Sequence, residues 1–442
     1  MTTILLDHNK IVGDMKLMNA VNNGPTRARS TQSRGNFDTF VAAGFPYVRT
    51  HDSNWCPSYG APHTIDITAI FPNFDADEND PASYDFELTD EYIETILSAG
   101  AKVFYRLGQS IEHAKKKYGV MPPKDNHKWA RICEHIILHY NEGWAYGFHH
   151  GIEYWEIWNE PDLYYEHYDR SPTWQGTEEQ FYDLYEITAK HLKSKFPHLK
   201  IGGPSLASER NWADRFLAEM KRRGAPMDFF SWHRYDRDPR RTGEVCEIFR
   251  EMLDRNGYTE TESILNEWNY IQNWDTEFVY SLRAITGLKG ASFATAVICV
   301  CQDKPLDMLM YYDARVGCAF NGLFDILSLE PSKTYYPYFD FHQMYLLGNE
   351  VSTECENSNV YALAASDGKQ TQLLITYYNN DDATPAEDVE LKFTADRAGE
   401  MRIYLTDKEQ DNALVRAVKI TEGEQTVKLP MKLFDIYHIV LE

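Results

Sequence analysis

Tyr154-Trp155-Glu156-Ile157-Trp158-Asn159-Glu160-Pro161 is the stretch on which the fold turns. Tyr154–Asn159 reads as a strand, and side-chain alternation puts Glu156 and Glu160 at equal parity with only Glu160 at the strand's exit. A helical pattern precedes it at Lys128–Tyr140 and another follows at Thr177–Lys195. In the second, Phe181, Leu184, Tyr185, Thr188 and Leu192 recur near helical spacing, with charges on the other face. Outward from this unit the alternation repeats. Strands are expected at Met15–Val21, Tyr47–His51, Lys102–Leu107, Ile201–Gly203, Phe229–His233, Ser263–Glu267 and Leu309–Tyr312, which with Tyr154–Asn159 makes eight. Helices are expected at Asp90–Ala99, Trp212–Arg223, Val245–Arg255 and Thr276–Cys301. Asn22-Asn23-Gly24 and Gly202-Gly203-Pro204 punctuate the joins. Eight β–α units over residues 13–340 predict an α/β chain built as a (β/α)8 TIM barrel. No G-x-G-x-x-G follows any of these strands, which counts against a dinucleotide fold.

Beyond residue 345 the pattern changes. Val360–Ala365, Gln372–Tyr378, Val389–Phe393, Met401–Leu405, Val415–Ile420, Thr426–Leu429 and Ile436–Leu441 read as short strands separated by turns such as Asp367-Gly368. They predict a C-terminal antiparallel β-sandwich over residues 341–442. Residues 1–12 join it, with Thr3–Leu6 as a further strand.

The 442 residues carry 44 Lys and Arg against 67 Asp and Glu, a formal charge of −23. That excludes a generic nucleic-acid binder and disfavours docking on anionic membranes. Hydrophobic residues make up 43%, so wholesale disorder is excluded. The apolar run Phe293–Cys301 is far short of the roughly 20 residues of a membrane span. Seven scattered cysteines form no disulfide framework, and no basic, apolar leader opens the chain; a cytoplasmic location is the expectation. The composition leaves a homo-oligomer open.

A carboxyl at the C-terminal rim of a barrel strand sits where barrel active sites form. Between Asn159 and Pro161 and near Trp158, Glu160 is expected to be partly desolvated, which raises a carboxyl pKa and suits a general acid. Ser263-Ile264-Leu265-Asn266-Glu267-Trp268-Asn269 brings a second carboxylate, Glu267, to the same rim. One strand-end glutamate in so acidic a chain is most simply a solvated residue. Two, each preceded by Asn and beside Trp, on strands four and seven of eight, favour the carboxylate pair of a glycoside hydrolase. No H-E-x-x-H or paired C-x-x-C spacing is present, so no metal and no organic cofactor is expected.

These elements resemble glycoside hydrolase family 39, the β-xylosidase and α-L-iduronidase family within the (β/α)8 retaining glycosidases. The resemblance rests on Tyr47-Val48-Arg49-Thr50-His51, Met121-Pro122-Pro123-Lys124-Asp125, Trp155–Leu163, Asp228-Phe229-Phe230-Ser231-Trp232-His233-Arg234-Tyr235 and Thr261–Asn269. It implies Glu160 as acid/base, Glu267 as nucleophile and Asn159 on the sugar 2-hydroxyl. It further implies that His51, His233 and Tyr235 reach the cleft, Tyr235 orienting the nucleophile. A histidine at either position alone is more often a satisfied rim residue. Trp268 and Trp158 either wall the pocket or support the glutamates. The chain departs from the family where a His-Gly-Gly-Phe-Gly type stretch is common near strand eight. It reads Tyr311-Tyr312-Asp313-Ala314-Arg315 and then Asn321-Gly322-Leu323-Phe324-Asp325, and Asp52 follows His51. Asp313 at that rim accepts sugar hydroxyls, or Arg315 binds a carboxylate, or the two interact with each other or with neighbouring loops. Since His51, His233 and Tyr235 already supply hydroxyl partners, the expectation is a retaining exo-glycosidase of neutral, β-xyloside-like sugars, with an oligosaccharide or glycoside as its partner. The alternatives are a catalytically silent carbohydrate-binding protein and an endo-acting polysaccharide hydrolase.

Overall fold

The computed structural model describes residues 2–28, 33–52 and 63–442; Met1 of the expected N-terminal segment lies outside them. The chain enters through a long strand, β1 (Thr2–Asp14). Then β2 (Leu17–Asn22), β3 (Tyr47–Thr50), β4 (Lys102–Leu107), β5 (Tyr154–Ile157), β6 (Lys200–Leu206), β7 (Phe229–Asp236), β8 (Glu262–Tyr270) and β9 (Met308–Tyr311) close a parallel barrel in chain order. All eight strands expected from the sequence are in it.

The first lumen-facing residues of these strands are apolar. Ala20, Tyr47, Phe104, Tyr154, Phe229, Ile264 and Met308 form one buried cluster. The Phe104 ring lies 5.1 Å from both Tyr154 and Phe229. Burial of each large side chain contributes about 1.5–3 kcal/mol, so this plug holds the barrel's lower end firmly. Gly202 makes room for it: a Cβ there would come within 2.7 Å of the Phe229 ring. One step up, the lumen turns polar, with Asn22, Arg49, Glu156 and Ser231 all buried. The reactive end is therefore the C-terminal one.

Two local expectations change. Gly202-Gly203-Pro204 is not a join, since β6 continues through it to Leu206. Thr276–Cys301 is two helices, Phe278–Ile285 and Leu288–Gln302, bent by 77°. Thr286 and Gly287 break them, and Gly290 lets the second pack tightly, because a Cβ there would sit 2.6 Å from the Ile285 carbonyl oxygen. Among the described residues no single helix is long and apolar enough to cross a membrane.

The second sheet holds β1 with β10 (Asn349–Cys355), β11 (Val360–Ser366), β12 (Thr371–Tyr377), β13 (Glu387–Ala395), β14 (Gly399–Thr406), β15 (Ala413–Ile420), β16 (Gly423–Met431) and β17 (Ile436–Leu441). Its order is β15-β14-β17-β12-β11-β10-β1-β13-β16. It is mixed rather than wholly antiparallel, because β1 runs parallel to β13. Ile420 of β15 and Val427 of β16, at opposite ends of that order, share one apolar core with Ile4, Ile375, Leu391, Ile403 and Ile439, so the sheet curls over its own interior. From the other face Leu363, Ala365, Leu374 and Ile436 pack into the barrel's core.

Candidate active site

Two interruptions of regular strand geometry deliver the glutamates. β5 stops at Ile157, two residues short of the sequence expectation, because Trp158 (φ 75°) and Glu160 (φ 50°) are left-handed. Simple alternation therefore does not carry Glu160 into the lumen; the two turned residues do. Trp158 swings outward, its Nε1 donating to the Thr173 carbonyl at 2.9 Å. The Glu160 amide donates to the Ser205 carbonyl at 2.8 Å, and its own carbonyl accepts from the Thr173 hydroxyl at 2.6 Å. Such backbone costs about 1–3 kcal/mol per residue and persists where surrounding bonds over-determine it. On β8 the register against β7 slips: Trp232 pairs with Leu265, but His233 pairs with Glu267. Asn266 is the extra residue of this bulge. Counting from Ile264, which faces the lumen, plain alternation would send Glu267 outward; the bulge turns it back in.

Among the described residues, Glu160, His233 and Glu267 bring one ligand-type atom each within 4.8 Å of one another. Glu267 Oε1 accepts from the Tyr235 hydroxyl at 2.5 Å. Its Oε2 lies 3.3 Å from Arg49 Nη1 and 3.5 Å from His51 Nε2. Glu160 Oε1 lies 2.8 Å from His233 Nδ1, and His233 Nε2 lies 2.6 Å from Ser205 Oγ. Beneath both sits the wholly buried Arg49. It donates to Glu156 at 2.7 Å, Asn22 at 3.0 Å, Asn159 Oδ1 at 2.7 Å and Ser205 Oγ at 2.7 Å. This buried cation has most of its donors satisfied, the condition under which a buried charge is tolerated.

Burial pushes both carboxyl groups up to about 7. For Glu160 the Arg49 charge opposes that rise and Asp52 adds to it. For Glu267 the opposition comes from His233, Arg49 and the Tyr235 hydroxyl, while Glu160 adds to the rise. Two carboxylates this close titrate as a pair. Glu267 accepts from Tyr235 and Arg49, whereas the side-chain partner of Glu160 is His233. Burial also pushes His233 down to about 4 and holds His51 well below its ordinary value, so both imidazoles are neutral at neutral pH. The convergent trio is a poor cation site. Both His233 nitrogens are engaged, and Arg49 already stands against Glu267.

Six of the eight residues expected at the site gather at the C-terminal end of the barrel. Glu160, Glu267, His233 and Tyr235 are joined as above. His51 is fully buried, and neither ring nitrogen has a hydrogen-bond partner among the described residues; the same is true of Asn159 Nδ2. Buried polar atoms without a partner are uncommon and mark these positions out. Asp313 lies in the wall, fully buried, accepting from Asn23 Nδ2 at 3.1 Å and from the Arg315 amide at 2.9 Å. Arg315 reaches 3.8 Å from Asp313 Oδ2 and donates to the Asp52 carbonyl, so the pairing reading of these two residues describes their contacts. Trp268 does not join the site. The bulge that turns Glu267 inward turns Trp268 outward, where its ring packs 5.4 Å from Tyr311 and 6.3 Å from Phe293.

The sequence reading missed Arg49, Ser205 and Tyr312 as site residues. Arg49 carried a signal, since it shares parity with Tyr47 and His51 on a strand pointing into the lumen. Ser205 carried none, being hidden behind what read as a turn. Tyr312 donates to Asp52 Oδ2 at 2.7 Å. Although burial raises Asp52, His51, Arg315, His63 and this hydroxyl hold it well below the usual carboxylate range.

The family model for glycosyl hydrolases family 39 matches residues 41–413. Beta-xylosidases of Geobacillus stearothermophilus and Caldicellulosiruptor saccharolyticus are each 29% identical, over 206 and 208 residues. Those alignments cover 43% and 44% of this chain and 36% and 37% of the relatives, so they span little more than a third of the curated relatives' length. A glucosidase from Croceicoccus marinus superposes with a TM-score of 0.81 at 23% identity, over 100% of this chain and 99% of that one. A monomeric beta-xylosidase from Caulobacter crescentus CB15 does so at 0.73 and 17% identity, with the same coverage. These structures share the fold. With the family match running through the barrel and both glutamates, the chain belongs to glycosyl hydrolases family 39.

Proposed function

We propose that this protein is a retaining exo-glycosidase acting on neutral glycosides. The observation that carries the reading is the approach of Glu160 and Glu267, oxygen to oxygen, within 4.8 Å. Retaining pairs sit about 5–5.5 Å apart, and inverting pairs leave about 6.5–9.5 Å for a water. Glu160 protonates the leaving oxygen while Glu267 attacks the anomeric carbon, forming a glycosyl ester. Glu160 then takes a proton from water, whose oxygen attacks the same carbon and frees Glu267. The unengaged Asn159 Nδ2 suits a sugar 2-hydroxyl, and His51 suits a neighbouring hydroxyl.

Charge supports a neutral sugar. Glu156, Glu160, Glu267, Asp52 and Asp313 face the cations Arg49 and Arg315, and Arg315 is spent on Asp52 and Asp313. A uronate would add a further negative charge to that set. The names of the relatives, beta-xylosidase and glucosidase, point to a pentose or hexose. The test is to treat the enzyme with activated 2-deoxy-2-fluoro xylosides and glucosides and to follow anomers by NMR. A label on Glu267 and a first product of retained configuration are expected; an inverted product or a label elsewhere overturns the reading.

One observation favours the endo-acting alternative. Trp274 is 59% exposed and packs 5.0 Å from Tyr235, offering a ring face just outside the pair. Products longer than one sugar, released from the middle of an oligosaccharide, would select that reading.

A further inference from the structure

We propose that Ser205 is a positioning residue: its hydroxyl donates to His233 Nε2 and holds the imidazole as the Nδ1–H tautomer. That N–H occupies Glu160 Oε1 and leaves Oε2 to carry the transferable proton. The proposal deepens the reading of Glu160 as acid/base and rests on it.

The argument counts hydrogens. Ser205 Oγ accepts from Arg49 Nη2 at 2.7 Å and has one hydrogen to give. The candidates are His233 Nε2 at 2.6 Å and Asn159 Oδ1 at 3.2 Å. Asn159 Oδ1 already receives Arg49 Nη2 at 2.7 Å, so the shorter contact to His233 takes the hydrogen. The opposite tautomer meets a second objection. A retaining cycle passes Glu160 through its carboxylate form, and a bare Nδ1 lone pair would then face that charge at 2.8 Å. With hydrogen on Nδ1, both stages of the cycle are satisfied.

The charged and titratable groups facing His233 are Glu160 after β5, Glu267 on β8, Arg49 and His51 on and after β3, and Glu156 on β5. Glu267 Oε2 is 3.6 Å from Nε2, too long to compete for a proton. The low value that burial imposes on His233 keeps the ring neutral, so a tautomer choice exists. Ser205 is left-handed (φ 59°), a conformation glycine adopts freely. Ser205→Gly therefore removes the hydroxyl without adding strain, Ser205→Ala is its companion, and Ser205→Cys keeps a weak donor.

Ring-nitrogen NMR on the full-length protein with 15N-histidine, the signal assigned by its loss in His233→Gln, reads the tautomer directly. Nδ1–H is expected in the wild type and a tautomer mixture in Ser205→Gly and Ser205→Ala. In these variants Nδ1 can accept from protonated Glu160 and stabilise the acid form, so the basic limb of the kcat/KM profile moves to higher pH. Alkyl glycosides, which need protonation, lose about tenfold in kcat/KM, dinitrophenyl glycosides less than about twofold, and Ser205→Cys falls between. An Nε2–H wild type overturns the proposal. So does an unmoved basic limb with equal loss on both substrates, the pattern of a merely structural role. If Ser205→Gly converts the tautomer in a protein that hydrolyses no glycoside, the Ser205–His233 link stands and the acid/base reading of Glu160 falls.

Discussion

Arg49 Nη1 stands 3.3 Å from Glu267 Oε2, yet the guanidinium gives its other donors to Glu156, Asn22, Asn159 and Ser205 and none to Glu160. One buried cation thus lowers both nearby carboxyls through its charge but hydrogen-bonds only one of them. That contact goes to Glu267, the nucleophile of the proposed mechanism, and leaves Glu160, its proposed acid, without one.

Removing that cation should be costly on two counts. Arg49→Met strands Glu156 as an unpaired buried carboxylate, a loss of about 3–5 kcal/mol in urea unfolding. It also raises Glu267, so kcat/KM at neutral pH should fall by about a hundredfold or more. Stability within about 1 kcal/mol of wild type would show that the Arg49–Glu156 pair is dispensable.

The pH–rate profile should be a bell. Activity rises with pH as Glu267 ionises and falls as Glu160 loses its proton. Tyr235→Phe removes a hydroxyl donated to the Glu267 carboxylate, so the acid limb alone should move to higher pH. A shift confined to the basic limb would assign Tyr235 to the wrong carboxyl.

The same burial makes a stability prediction. Glu160 is raised from 4.5 in the unfolded chain to about 7 in the fold. Its contribution is therefore fully present below pH 4.5 and lost as the pH climbs through about 7. Glu160→Gln should stabilise the protein by about 1–3 kcal/mol at pH 8 and leave it unchanged near pH 4, as read by denaturant unfolding. Equal effects at the two pH values would contradict this.

Leaving-group dependence separates the two roles. Glu267→Ala should abolish turnover of every glycoside. Glu160→Ala should spare dinitrophenyl glycosides relative to alkyl ones, and azide should restore its rate by attacking the glycosyl ester. No azide rescue and equal losses across leaving groups would undo the assignment.

The eighth-strand wall bears on specificity. With Arg315 held by Asp313 and Asp52, neutral glycosides should be hydrolysed and glucuronides or iduronides hardly at all. Asp313→Ala should raise KM or lower kcat, through a lost sugar contact or through release of Arg315. Efficient uronide hydrolysis that collapses in Arg315→Ala would reverse the choice.

Much was legible in the sequence because it is written in local pattern. Eight strand–helix alternations predict the barrel, and two Asn-Glu pairs at the ends of strands four and seven predict where its chemistry lies. Local pattern also has blind spots. Asn349–Cys355 is polar and unalternating, so β10 was invisible until β1 and β11 flanked it. The parallel pairing of β1 with β13 joins residues nearly four hundred positions apart.

The sequence by itself determined the barrel, the second sheet and the identity of the two facing glutamates, since periodicity and residue type are properties of neighbours along the chain. Only the tertiary structure decided how those glutamates reach the lumen. Parity alone would have turned Glu267 outward and Trp268 inward; the bulge at Asn266, seen only in the pairing of β7 with β8, reversed both. The left-handed Trp158 and Glu160 are likewise held by contacts from Thr173 and Ser205. Strained backbone and register are set by the strands packed alongside, and no window of sequence contains those.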